Sequence, residues 1–243
     1  MNKLKLSQTS STNTWLAQNE DVLESPVFVF CHEQSAGRGQ RGNSWEAEPG
    51  KNLTGSFLFH PVDFRAACQF TLSEMTALSV VSLLKYYGIH AKVKWPNDIY
   101  VDDKKICGIL VEHVVTGQNV TRTIAGVGLN INQEIFLSDA PNPVSMKQIT
   151  RQEYSVEIIV DRLVEIFESY LNLISEPEKV HSEFMENLWR NDGLFHPFHD
   201  KLTDELIFGM IDSVSKEGFL KLITREGKTR RYAFKEVEFL LNT

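Results

Sequence analysis

Cysteine is scarce in this 243-residue chain: Cys31, Cys68 and Cys107 are far apart, odd in number and without a CxxC pair. That excludes a disulfide framework and a cysteine-held zinc site, and predicts free, buried thiols in a reducing compartment. The seven histidines form no HxxxH or HExxH pattern; His196 and His199, in "HPFH", lack cysteine partners, which argues against a metal there. Basic residues are outnumbered, 25 against 32 acidic, for a formal net charge of −7. The cationic surface that nucleic-acid binding needs is therefore missing. No stretch is expected to reach the ~20 apolar residues of a membrane span, and "MNKLKLSQTSSTN" has no signal-peptide core. A GxSxG elbow is absent too. What is left is an ordinary globular composition, 42% hydrophobic and 23% charged, read as cytoplasmic.

The pattern of apolar residues predicts a short helix in "TNTWLAQN" with Ser11 or Thr12 as its N-cap, then strands in "PVFVF" (26–30) and "NLTGSFLFH" (52–60). Leu72, Met75, Leu78, Val81 and Leu84 recur every three residues and predict a long helix over 68–88, stopped by Gly88. Turn residues in "DDKK" and "TGQN" separate strand-like runs, so an antiparallel meander is expected over roughly 91–132. "SDAPNPVS" (138–145) reads as a loop, and 155–174 and 177–190 as amphipathic helices, the latter opened by Pro177. Beyond "NDG" the chain turns to short strands ("LIFGMIDSV", "GFLKLIT", "TRRYAF", "VEFLL"), which predicts a separate small β-barrel. A boundary near 187–195 divides the chain into residues 1–190 and 191–243, with "HPFH" in the linker.

Candidate chemistry lies in four places. "GRGQRG" packs Gly37, Gly39 and Gly42 around Arg38, Gln40 and Arg41. Glycines let backbone N–H groups approach an anion and arginines offer forked donors, although neither a P-loop nor a Rossmann fingerprint applies and a plain surface loop has the same composition. "KWPND" gives a stiff turn in which Asp98 either orients a cation or stabilises the turn itself. It leads to Lys104 and Lys105, which are either solvated or turned back over the sheet as a point charge, and to Gly108, where a ligand can approach the strand. "GVGLNIN" places Asn130 at a strand end as an amide reader or a turn cap, and "SSTN" offers hydroxyls for a neutral polar ring or for helix capping.

In series (STN, QSAGRGQRG, KWPND, KKICGIL, GVGLNIN, then a small β-domain) these elements resemble a bacterial biotin–protein ligase, from about Ser10 to the C-terminus. The resemblance implies an α+β fold: a class II aminoacyl-tRNA synthetase/biotin synthetase-like mixed β-sheet with flanking helices, and a C-terminal SH3-like barrel. It implies that biotin and ATP, with Mg²⁺ on the phosphates, give biotinyl-5′-AMP and pyrophosphate. Biotin then passes to a lysine of a biotin carboxyl carrier domain. By that resemblance Ser11, Thr12, Asn13 and Gln34 address the ureido ring, and Gly37, Arg38, Gly39 and Gln40 form the biotin-binding loop. Gly108 lies beneath the ligand, and Lys105 meets the biotin carboxylate or the acyl-phosphate bridge. Arg38, Arg41, Trp45, Asn97, Asp98 and Asn130 fall on the ATP side. Arg38 and Lys105 are the expected catalytic cations. Some members carry a third arginine where Gln40 stands and a basic residue where Asn43 stands, so this loop is less cationic. About ten residues precede "STN", too few for the DNA-binding domain of some relatives, so no nucleic-acid partner is expected; the chain is read as monomer or homodimer. A lipoate–protein ligase and a non-catalytic sensor of biotin or its adenylate are the alternatives.

Overall fold

Among the residues that the computed structural model describes (1–137 and 142–241, at Arg41 the backbone alone), seven strands form the larger sheet. They are β1 (Asn2–Thr9), β2 (Val27–Gln34), β3 (Leu53–Phe59), β4 (Lys92–Lys94), β5 (Asp98–Val101), β6 (Lys104–Thr116) and β7 (Asn119–Leu129), in the order β1-β2-β3-β7-β6-β5-β4. The expected meander is present as β4 to β7, with Asp102 and Gly117 taking positive φ at its turns. β1 has no counterpart in the sequence reading. It pairs parallel to β2, and a parallel pair needs a crossover, which the helix α1 (Thr12–Asn19) supplies. Its signal is the alternation of Lys3 and Lys5 with Leu4 and Leu6, whose leucines pack on Leu16, Val29 and Ile124.

The other helices are α2 (Phe70–Tyr86), α3 (Met146–Thr150), α4 (Val156–Leu171) and α5 (Pro177–Glu186). In α2 the predicted stripe is buried, and Thr76 and Ser79 join it because their hydroxyls donate to the carbonyls of Leu72 and Met75 at 2.8 and 2.7 Å. Counted with its leading turn, Ala66–Tyr86 is long and apolar enough to span a membrane, which corrects the expectation that no stretch is; two thirds of it (67%) is buried within the fold. Phe167 of α4 stacks on Phe57 of β3 with ring centres 3.8 Å apart. α3 was not anticipated, although "SMKQ" is a capping box in which Ser145 and Gln148 satisfy each other's backbone N–H. Of the loop expected at 138–145, residues 138–141 lie outside the described residues.

α5 is tied to α2 by Glu74, 1% exposed, whose carboxylate meets His181 Nδ1 at 2.7 Å. Burial raises the Glu74 pKa, and the hydrogen bond to Glu74 raises that of His181, beside the exposed Glu178–Lys216 pair. Both groups hold a proton more tightly folded than unfolded. Each contribution is thus complete below the group's unfolded value, 4.5 for Glu74 and 6.5 for His181, and is lost as pH rises through the folded one. The melting temperature is expected to fall as pH rises past neutrality, and to fall less in Glu74→Gln; calorimetry across that range checks it.

A second, antiparallel sheet follows: β8 (His196–Asp200), β9 (Glu205–Val214), β10 (Leu220–Thr224), β11 (Thr229–Tyr232) and β12 (Val237–Phe239), in the order β11-β10-β9-β8-β12. β8 corrects the placement of "HPFH" in a linker. Phe198 is fully buried, while His196 and His199 are partly buried and bond to Asp192 and Asp204. The two sheets meet through Trp189, packed between Tyr100 and Phe239, and through the Trp95 indole N–H, which donates to the Gly218 carbonyl at 3.0 Å.

Candidate functional site

A cleft of about 700 Å³ opens between the two sheets, bounded by the start of α1, residues 34–45, the glycine-bearing face of β6 and β7, the 94–98 turn and residues 234–239. At one end is a buried polar cradle. The Thr12 backbone N–H donates to Gln34 Oε1 (2.9 Å), the Thr12 and Ser56 hydroxyls are 2.6 Å apart, and the Ser56 hydroxyl donates to Asn13 Oδ1 (2.6 Å). Ser11 stands at the N-cap of α1, but its hydroxyl makes no capping bond; it lines the cleft instead. A cradle mixing donors and acceptors suits a neutral, hydrogen-bonding ring.

The loop turns back on itself: the Gly39 N–H donates to the Asn43 carbonyl (2.7 Å) and the Trp45 N–H to the Gly37 carbonyl (2.9 Å). Its letters Gly37–Gly42 have the GxGxxG spacing, yet it closes as a hairpin and opens no long helix, so a dinucleotide fingerprint does not apply. Gly37 shapes the loop from behind, since a Cβ there would sit 2.4 Å from the Trp45 carbonyl oxygen; it is not on the cleft wall. Gly39 and Gln40 are on the wall. Arg38 is committed to Glu112 of β6 and donates to the Thr14 hydroxyl (3.1 Å). The Arg41 side chain lies outside the described residues.

Gly108 and Gly128 are cross-strand partners, leaving the sheet bare where the Trp45 indole lies across it. The indole N–H is buried without a partner among the described residues. Asn97 is pinned to β6, donating from Nδ2 to the Ile109 carbonyl at 2.6 Å. Asp98 holds Lys105, not Lys104: Lys105 Nζ is 2.7 Å from its carboxylate and 5.7 Å from the Trp45 ring centre. Lys105 thus reaches back over the sheet. Asn130 is buried, its amide donating to the Val144 carbonyl (3.1 Å), with Oδ1 lacking a partner among the described residues.

Sequence reasoning missed several side chains. Ser56 and Glu112 are ordinary strand residues until folding puts them beside Asn13 and Arg38. Lys94, within the quoted "KWPND", donates to the Tyr100 hydroxyl (3.1 Å), and burial lowers its pKa. Lys201, paired with Glu238 at 2.8 Å, and Lys235 reach the cleft from the second sheet, with no local signal to find them. The cleft therefore has a neutral polar end and a cationic end, joined by a bare floor.

Residues 6–130 match the Biotin/lipoate A/B protein ligase family. The chain belongs to that family. Among its relatives, the biotin–[acetyl-CoA-carboxylase] ligase of Paracoccus denitrificans is 30% identical over 169 residues, covering 67% of this chain and 70% of the relative. The bifunctional ligase/repressor BirA of Bacillus subtilis is 27% identical over 241 residues, covering 94% of this chain and 70% of that protein. Among solved structures, the biotin protein ligase of Aquifex aeolicus in complex with biotin and ATP superposes with a TM-score of 0.79 at 22% identity, covering 99% of each chain. That likeness gives the ligase family's fold, the large mixed sheet with flanking helices, and the second antiparallel sheet fits an SH3-like domain.

Proposed function

We propose that this protein is an ATP-dependent biotin–protein ligase. The biotin carboxylate attacks the α-phosphate of ATP, forming the acyl–phosphate bond of biotinyl-5′-AMP as the bond to pyrophosphate breaks. The ε-amine of a carrier-domain lysine then attacks the acyl carbon and expels AMP. The observation that carries this reading is the two-ended cleft: a buried donor-and-acceptor cradle at Thr12, Asn13, Gln34 and Ser56, a glycine floor, and Lys105 beyond it. The cradle suits a ureido ring with Ser11 alongside, and the floor at Gly108 passes an aliphatic tail toward Lys105.

The first step brings one anion to another, so it depends on fixed positive charge. Lys105 meets the carboxylate and the forming bridge, and Arg38 covers it from the loop, whose Gly39 and Gln40 close the wall. Lys94, Lys201 and Lys235 face the polyphosphate. Trp45, Asn97 and Asp98 border the adenylate, a side that the resemblance also gives to Arg41, and the unpartnered Oδ1 of Asn130 suits an amine donor from the base. Mg²⁺ would arrive on the phosphates, where it spreads their charge. Among the described residues no three His, Cys, Asp or Glu gather into a cage, and a hydrated ion borne by a nucleotide needs none. Residues 1–190 are read as the catalytic domain and 191–243 as the barrel that completes the cleft. Three free thiols suit a reducing cytoplasm.

The family also includes lipoate ligases, whose apolar dithiolane would leave the buried cradle unmatched. Native mass spectrometry after incubation with ATP, Mg²⁺ and either biotin or lipoate, without acceptor, tests the choice. A biotinyl adenylate is expected. A lipoyl adenylate overturns the substrate, and bound biotin without adenylate reduces the protein to a sensor.

A further inference from the structure

Glu112 lies outside the cleft lining and has no part in the reaction just described, yet both of its carboxylate oxygens are engaged with the site. Oε1 takes Arg38 of the glycine loop, and Oε2 accepts from Asn13 Nδ2 at 2.7 Å. Asn13 cannot rotate its amide without losing the Ser56 hydroxyl from its Oδ1 at 2.6 Å, and Ser56 leads on to Thr12 and Gln34. Gly126 keeps this arrangement open, since a Cβ there would lie 2.4 Å from Asn13 Oδ1. A continuous hydrogen-bonded line therefore runs from the loop arginine to the polar cradle, with Glu112 as its link.

The ion pair does little for stability, because Arg38 and Glu112 are 45% and 38% exposed and water screens them. What the carboxylate contributes is position. It supplies two acceptors to two donors that otherwise have no reason to move together.

We propose that Glu112 is a positioning residue that couples occupancy of the cradle to closure of the glycine loop. This rests on the ligase reading. A ligand that fixes Asn13 fixes Glu112 through Oε2, and Oε1 then holds Arg38 down over the cleft. By reciprocity, the closed loop holds the ligand longer. Glu112→Gln breaks the link with little change in shape. Its amide has one acceptor oxygen, so serving Arg38 turns an NH₂ group toward the NH₂ of Asn13, donor against donor.

The test uses the full chain and three readouts: biotin binding by calorimetry without ATP, tryptic cleavage at Arg38 and Arg41 with and without biotin, and the lifetime of bound biotinyl adenylate. In the wild type, saturating biotin is expected to slow loop cleavage about tenfold, within the usual range of coupling between sites. Glu112→Gln is expected to bind biotin about tenfold more weakly, the same factor by reciprocity, and at saturating biotin to be cleaved near its ligand-free rate and to lose adenylate about tenfold faster. Wild-type protection at saturating biotin, or a wild-type adenylate lifetime, in Glu112→Gln overturns the proposal. Should Glu112→Gln fail to fold, Glu112→Asp, one methylene too short to reach both partners, is expected to lose part of the protection, and full protection there overturns the proposal. Failure of the wild type to bind biotin is a distinct result, which removes the ligase reading and this inference with it.

Discussion

Lys105→Ala is expected to slow biotin-dependent pyrophosphate release by about 10²–10³-fold, the usual effect of removing one preorganised donor from a developing negative charge. Biotin should still bind, because the cradle at Thr12, Asn13, Gln34 and Ser56 is untouched. The loss therefore falls on kcat more than on the affinity for biotin. Lys105 is placed by the sheet: it is the second residue of β6, opposite Tyr100 of β5 and next to a register shift, and its amine turns back to Asp98. The side chains of the pair are only 21% and 22% exposed, so water screens them weakly. Removing the lysine alone leaves the Asp98 carboxylate facing two further anions. Asp98→Asn added to Lys105→Ala should accordingly recover part of the rate, about tenfold. Lys105→Arg should not restore it, since a planar guanidinium replaces a compact ammonium. Single-turnover release of pyrophosphate reads all three variants, and a Lys105→Ala enzyme within about threefold of wild type would remove Lys105 from the reaction centre.

Periodicity made the long elements legible. The three-residue spacing in α2 and the turn residues at Asp102 and Gly117 record how a buried face and a reversal constrain local sequence. β1 escaped because an edge strand needs only two inward leucines, and β8 because Pro197 between two histidines reads as a loop. At the site, the loop, the cradle threonine and asparagine, and Lys105 were visible because family motifs mark them. Ser56, Glu112, Lys201 and Lys235 were not, since each gains its place only when strands far apart in the chain come together. Asn130 was marked by its motif alone, and the fold leaves it buried with one unmet acceptor among the described residues.

Gly128→Val is expected to raise the Michaelis constant for biotin by about 10–100-fold, corresponding to the 1–3 kcal/mol that overfilling a packed space costs. Gly128 faces Gly108 across β6 and β7, and the pair leaves a bare patch on which an aromatic ring or an alkyl chain can lie flat. A Cβ at Gly128 would come within 2.3 Å of the Trp45 ring, and one at Gly108 within 2.9 Å. Neither glycine has positive φ, so backbone strain is not the reason for its presence. Valine is at home in a strand, and the melting temperature should move by no more than a few degrees while binding is lost. That separation matters, because a glycine required for folding would lower both together. Trp45 sits on the loop, so Trp45→Ala in the Gly128→Ala background makes room above the added methyl and should recover part of the affinity that Gly128→Ala loses. If Gly128→Val binds biotin as the wild type does, the bare patch is not the floor beneath the ligand, and the path from cradle to Lys105 lies elsewhere in the cleft.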